Sequence, residues 1–266
     1  MEKKIQFQDA EILYEVVGNG QPVVLLHGFA EDNNIWHEQT HFLQDYCRLI
    51  LPDLPGSGKS SMLQKDNVTI EDYAACLNAL LTNEGIDKCV LLGHSMGGYI
   101  TLAFAEMFPD KLQAFGLVHS SAFADNEEKK GVRKKGITMM EEHGVYFFLK
   151  NTTPNSFSEN YKKNNQERIS ELIEQGKDFS KETLIQYYTA MMNRPDRTAV
   201  LEKSEVPVLF VIGSEDAIAP LDDLLKQVHL PQTSHIHIIE DAAHMSMQEK
   251  PDELNNYLLE FISNTA

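Results

Sequence analysis

Residues 89–109 constrain the fold of this chain more than any other stretch. Cys89-Val90-Leu91-Leu92 is a continuous apolar run, as in a strand buried on both faces. Gly93-His94-Ser95-Met96-Gly97 comes next, and Gly98 to Ala105 then reads as a helix that ends near Pro109. A strand that turns directly into a helix holds its apex residue in a strained backbone and leaves its neighbours almost no room for side chains. Glycines two residues either side of Ser95 suit such a turn. The turn would lift the Ser95 hydroxyl above the sheet, where the unpaired N-terminal amides of the helix also point.

The rest of the chain extends this unit. Strands are expected at Ile5–Phe7, Ile12–Val17, Val23–Leu26, Arg48–Leu51, Phe115–Val118, Val206–Ile212 and His235–Ile239. Helical patterns fall between them: Ile35 to Tyr46, then a helix from Thr69 with Asp72 three residues on, as in a capping box. A closing helix places Leu254, Tyr257, Leu258, Phe261 and Ile262 on one face. Strand–helix alternation predicts an α/β fold with a mostly parallel sheet between helix layers. The alternation breaks from 122 to 194, a segment rich in Lys, Glu, Asn and Met with no strand-like run. It reads as an insertion between two sheet strands. Its charge runs, Glu127-Glu128-Lys129-Lys130 and Arg133-Lys134-Lys135, read as a solvated helix face.

Bulk properties narrow the partners. A net charge of −17 argues against nucleic acid and anionic membrane. The longest apolar run, Val206–Ile212, contains Pro207 and falls far short of the ~20 residues of a membrane span. The start, Met1-Glu2-Lys3-Lys4-Ile5, carries no apolar export region, so a cytoplasmic protein is expected. Cys47, Cys76 and Cys89 are odd in number and sit in apolar contexts, which points to reduced, buried thiols.

A serine hydroxyl needs a base, and a histidine base needs a carboxylate behind it. Two loops after strand ends supply them: Gly213-Ser214-Glu215-Asp216 and Asp241-Ala242-Ala243-His244. The chain order is Ser95, Asp216, His244, with Glu215, Asp222 and Asp223 as competing carboxylates.

With these motifs in view, the chain resembles the α/β-hydrolase superfamily over essentially its whole length. His27-Gly28 is similar to the family's oxyanion-loop dipeptide, and Asp53-Leu54-Pro55-Gly56-Ser57-Gly58-Lys59-Ser60 to its DxxGxGxS loop. Gly93 to Gly98 resembles its nucleophile elbow. Gly213 to Asp216, with Pro220, resembles its acid loop, and His244, with Glu249 and Pro251, its histidine loop. The resemblance implies an eight-stranded sheet with a helical cap after the sixth strand. Residues 1–121 and 195–266 would form the core and 122–194 the cap. It also favours Asp216 as the acid and implies an oxyanion hole from the backbone amides of Phe29 and Met96.

Pocket candidates are Trp36 near the oxyanion loop, open equally to plain packing, and His119 after the sixth strand. Met139, Phe147 and Met191 belong to the insertion, where some apolar residues should wall the space over Ser95. No cofactor or metal is expected. Gly58-Lys59-Ser60 imitates the end of a P-loop, but Asp53 stands where a glycine is required. His235 and His237 could share one face of a strand, yet two histidines fall short of a zinc site. The reading is a serine hydrolase for a small or medium carboxylic ester. A carbon–carbon bond hydrolase, a thioesterase, a lactonase or a ligand receptor on the same scaffold could carry the same residues.

Overall fold

Strand pairing organises the molecule, a computed structural model that describes residues 1–265. The strands are β1 (Glu2–Phe7), β2 (Ala10–Val17), β3 (Pro22–Leu26), β4 (Arg48–Pro52), β5 (Cys89–His94), β6 (Leu112–Val118), β7 (Val208–Gly213) and β8 (Ser234–Ile239). They form one eight-stranded sheet in the order β1-β2-β4-β3-β5-β6-β7-β8. β1–β2 and β2–β4 pair antiparallel; every other pair is parallel. The central strands are buried along their whole length, which explains why β5 and β7 read as unbroken apolar runs rather than alternating ones.

Helices cover the sheet: α1 (His37–Leu43), α2 (Ile70–Asn83), α3 (Met96–Met107), α4 (Glu127–His143), α5 (Val145–Thr152), α6 (Glu159–Asn164), α7 (Gln166–Gly176), α8 (Lys181–Asn193), α9 (Thr198–Glu202), α10 (Leu221–Leu224), α11 (Ser246–Glu249) and α12 (Pro251–Ser263). The start of α2 is fixed as expected, with the Thr69 amide donating to Asp72 Oδ2 at 2.8 Å. The helix expected over Ile35–Tyr46 is shorter. It opens as a 3₁₀ turn over Asn33–Trp36, because the Asp32 carboxylate accepts the Asn34 amide there, and α1 ends at Leu43. Six helices, α4 to α9, lie between β6 and β7.

Packing explains the paired histidines of β8. His237 stacks on Tyr257 of α12 at 4.0 Å between ring centroids, and His235 meets Phe261 edge-on at 5.2 Å. The three cysteines are buried and unbonded to one another, and burial pushes the Cys47 thiol up to about 11. Among the described residues no helix is long and apolar enough to cross a membrane.

Candidate active site

Register puts the chemistry at one edge of the sheet. His94, the last residue of β5, lies beside Val118 of β6, and Val118 beside Val211 of β7. Gly213 and Ile239 are likewise partners at the ends of β7 and β8. The loops that follow these ends therefore converge.

Ser95 occupies the turn between β5 and α3 with φ 50° and ψ −112°, a conformation that side-chain-bearing residues rarely adopt. The glycines around it answer to contact. A Cβ on Gly93 would sit 2.2 Å from the Gly97 carbonyl oxygen, and one on Gly97 would sit 2.6 Å from the Leu26 carbonyl. The space beside Gly98 is filled by Ser120, whose hydroxyl donates to the Ser95 carbonyl at 2.7 Å. The Ser95 amide is anchored on Val118 O at 3.0 Å.

The acid and histidine loops meet as the chain order suggests. His244 Nδ1 lies 2.8 Å from Asp216 Oδ2. The other carboxylate oxygen of Asp216 accepts the amides of Ile218 and Ala219 at 2.9 and 2.8 Å. His119 supplies a further donor, with Nδ1 at 3.2 Å from Asp216 Oδ2 and Nε2 at 2.7 Å from Ser246 Oγ. Burial alone would raise the Asp216 carboxyl. The charge of His244 and hydrogen bonds from both imidazoles outweigh that and hold it far below the usual carboxylate range. Burial pushes His119 down to about 4, so it is neutral, donating through Nδ1 and accepting the Ser246 hydroxyl proton at Nε2. His119, Asp216 and His244 bring three potential metal ligands within 4.8 Å, but both Nδ1 atoms are committed to one carboxylate oxygen at hydrogen-bond length. The set fits a proton-relay role better than a metal centre.

A charged pair underlies the elbow. His94 Nε2 lies 3.0 Å from the His244 carbonyl oxygen, and its Nδ1 lies 3.0 Å from Glu31 Oε2. A carbonyl only accepts, and a carboxylate accepts, so both ring nitrogens of His94 carry protons and the ring is an imidazolium. Burial would neutralise each partner. Their mutual attraction prevails, lowering Glu31 and raising His94. Glu31 Oε2 also accepts the Gly28 amide at 2.6 Å, which ties the oxyanion loop to the elbow. His27 is fixed as well: Nε2 accepts the Leu54 amide at 3.0 Å, and Nδ1 donates to Gly28 O at 2.9 Å. Asp53 braces the neighbouring loop by accepting the amides of Asn33 and Lys59 at 3.1 and 3.0 Å.

Above these loops lies a cavity of about 780 Å³. Ser95, His244, His119 and Met191 border it, as do Phe29, Tyr99 and Tyr188. Three residues expected along it lie elsewhere. Trp36 is wholly buried and meets His94 edge-on, because the turn that Asp32 caps rotates it into the core. Met139 packs against the core, and Phe147 turns outward beside His143. The amides of Phe29 and Met96 donate to no protein acceptor among the described residues. Ser95 Oγ makes no hydrogen bond to His244 among the described residues; such contacts commonly tighten only with substrate bound.

The helices above the sheet are tied to the site. Phe29 stacks on Tyr188 of α8 at 4.2 Å between centroids. The His244 amide donates to Ser156 O at 3.0 Å, and the Ser158 amide to Glu249 Oε2 at 2.9 Å. Sequence reasoning missed Glu31, His94 and Ser246 as site residues. The available signal was a histidine beside the elbow serine, at His94; Glu31, followed by Asp32, Asn33 and Asn34, gave none.

Fold and site together define a class, and comparison with known proteins agrees. The family model described as alpha/beta hydrolase fold matches residues 21–141. A thermophilic esterase from Thermogutta terrifontis, solved with malate bound, is 30% identical with a TM-score of 0.93, covering 100% of this chain and 99% of that one. The 2-hydroxy-6-oxo-6-phenylhexa-2,4-dienoate hydrolase of Comamonas testosteroni is 25% identical over 272 residues, 96% of this chain and 92% of its own. Lipase 1 of Psychrobacter immobilis is 28% identical over 264 residues, 93% of this chain and 79% of its own. The chain belongs to the α/β-hydrolase family.

Proposed function

We propose that the protein is a serine hydrolase that cleaves small or medium carboxylic esters through an acyl-enzyme. One observation carries this reading: a histidine braced on a buried carboxylate at 2.8 Å borders the same cavity as a serine held at a strained strand–helix apex. Relatives named as an esterase and a lipase support an ester as the substrate.

In this reading Ser95 Oγ attacks the ester carbonyl. His244 takes the proton at Nε2, since its Nδ1 is engaged by Asp216. Asp216 fixes the tautomer and stabilises the imidazolium. The amides of Phe29 and Met96 receive the oxyanion; each such donor typically contributes about 2.7–4 kcal/mol to barrier lowering. His244 then protonates the leaving alcohol, and water repeats the cycle on the acyl-enzyme. Every role is filled by the chain itself. Residues 122–194 act as a cap that shapes the acyl and alcohol pockets, with residues 1–121 and 195–266 as the core.

The test is hydrolysis of short p-nitrophenyl esters by wild type and Ser95→Ala, with a fluorophosphonate label to report the nucleophile. Wild type should turn over and label at Ser95, and Ser95→Ala should do neither. Equal turnover by both refutes the assignment. Stoichiometric labelling without multiple turnover would indicate a receptor on a hydrolase scaffold.

A further inference from the structure

The basic runs of α4 do not all face solvent. Lys134 and Lys135 are exposed, but Lys129 and Arg133 border the cavity that holds Ser95 and His244. They are four residues apart and so share one helix face, with the N-cap Asn126 on the same cavity wall.

Arg133 is the more constrained of the two. Its side chain is only 18% exposed, and Nε donates to Asp125 Oδ2 at 2.6 Å. Its guanidinium lies 5.4 Å from the centroid of the Tyr188 ring. Arg194 takes the other oxygen of the same carboxylate at 2.8 Å and also donates to the Met191 and Phe123 carbonyls. One buried carboxylate thus serves two guanidiniums, which leaves one positive charge uncompensated. Nη1 and Nη2 of Arg133 meet no protein acceptor among the described residues, yet neither is sealed from solvent.

Other charges on the wall are largely matched. Lys226 pairs with Asp223 at 2.6 Å, Arg168 with Glu171 at 3.0 Å and Glu31 with His94 at 3.0 Å. The Asp32 carboxylate caps the turn at Asn34. Lys129 has no ion pair among the described residues. In a chain with a net charge of −17, Lys129, which makes no ion pair among the described residues, and Arg133, which shares one carboxylate with Arg194, are a local excess of positive charge on one cavity wall.

We propose that the cavity selects esters that carry a free carboxylate away from the scissile bond, received by the open Nη donors of Arg133 with Lys129 adding charge beside it. The guanidinium presents two N–H groups in a fixed plane, the geometry that suits a carboxylate. Tyr99, one turn beyond Ser95 on α3, borders the same space and places the anion subsite within the serine's cavity. This substrate class rests on the reading of Ser95 as nucleophile.

Two arms test it. The first compares monomethyl esters of four- to eight-carbon dicarboxylic acids with the matched dimethyl esters. Wild type should prefer the mono-acids in kcat/KM, mainly through KM, and Arg133→Gln should reduce that ratio by about tenfold or more, with Arg133→Lys recovering part of it. Asp125 keeps Arg194 as its counter-ion in these variants, so the fold should hold. The second arm needs no catalysis. Glutarate should raise the melting temperature of Ser95→Ala saturably, Arg133→Gln in that background should abolish the shift, and inorganic phosphate should give none. A preference for dimethyl esters, a glutarate shift unchanged by Arg133→Gln, or equal stabilisation by phosphate overturns the proposal. Arg133-dependent glutarate binding in a protein that hydrolyses no ester would instead overturn the nucleophile assignment and leave the anion site standing.

Discussion

Replacing Glu31 by Gln removes one buried charge at nearly constant volume, and the contacts around it fix the expected cost. Oε2 serves both the Gly28 amide at 2.6 Å and His94 Nδ1 at 3.0 Å. An amide nitrogen at that position would oppose the Gly28 N–H. An amide oxygen keeps Gly28 but faces a His94 that, without its counter-ion, sheds a proton. Neutral His94 then lacks a proton either at Nδ1, toward this oxygen, or at Nε2, toward the His244 carbonyl. Every arrangement leaves one buried polar group unmatched, which costs about 1–3 kcal/mol. For a chain of this size that lowers Tm by roughly 2–12 °C.

The pH dependence of that loss has a definite sign. Glu31 is lowered from 4.5, so its contribution is in place above that value and disappears as pH falls through the lower folded pKa. His94 is raised from 6.5, so its contribution is in place below that value and disappears as pH rises through the higher folded pKa. Both operate between 4.5 and 6.5. Thermal melts of wild type and Glu31→Gln should therefore differ most near about pH 5.5 and converge as pH rises past 6.5 and through the higher folded value of His94. A gap of the same size at both ends, or no gap at all, refutes an imidazolium at His94.

Three further outcomes follow from the geometry. His119→Asn withdraws one imidazole donor from Asp216, and kcat on a p-nitrophenyl ester should fall about tenfold with KM little changed; an unaltered kcat means that the second imidazole is only packing. Gly93→Ala drives a Cβ to 2.2 Å from the Gly97 carbonyl, backbone against backbone, so differential scanning should show a loss of about 3 kcal/mol or more, or no folded protein. Glu249→Gln retains an acceptor for the Ala243 amide but meets the Ser158 amide with a donor, and should cost about 1–3 kcal/mol together with faster proteolysis within α4–α8.

The sheet was legible because its strands announce themselves twice, as apolar runs and by the loops between them. Val208–Gly213 and Cys89–His94 are buried on both faces, so no alternation was needed to find them. The turn at Ser95 was legible for a related reason: a strand-to-helix turn tolerates so few residue types that Gly93, Gly97 and Gly98 mark it. The cavity wall was not legible. Trp36 and Phe147 look like wall residues by composition, yet helix phase turns one inward and the other outward. Arg133 sits in a charge run indistinguishable in sequence from a solvated face. Only the packing of α4 against α8, which puts its guanidinium over Tyr188, separates it from Lys134. Likewise, nothing local tells that Glu31 and His94, 63 positions apart, share a proton network.

The amide of His244 is held by Ser156, a residue of the turn between α5 and α6, rather than by the sheet. Any swing of that turn away from the loops that carry Asp216 and His244 tugs on the residue proposed as general base. Under that proposal, departure of product and disarming of the enzyme become a single mechanical event, and a bound molecule that keeps the roof seated also keeps the machinery primed.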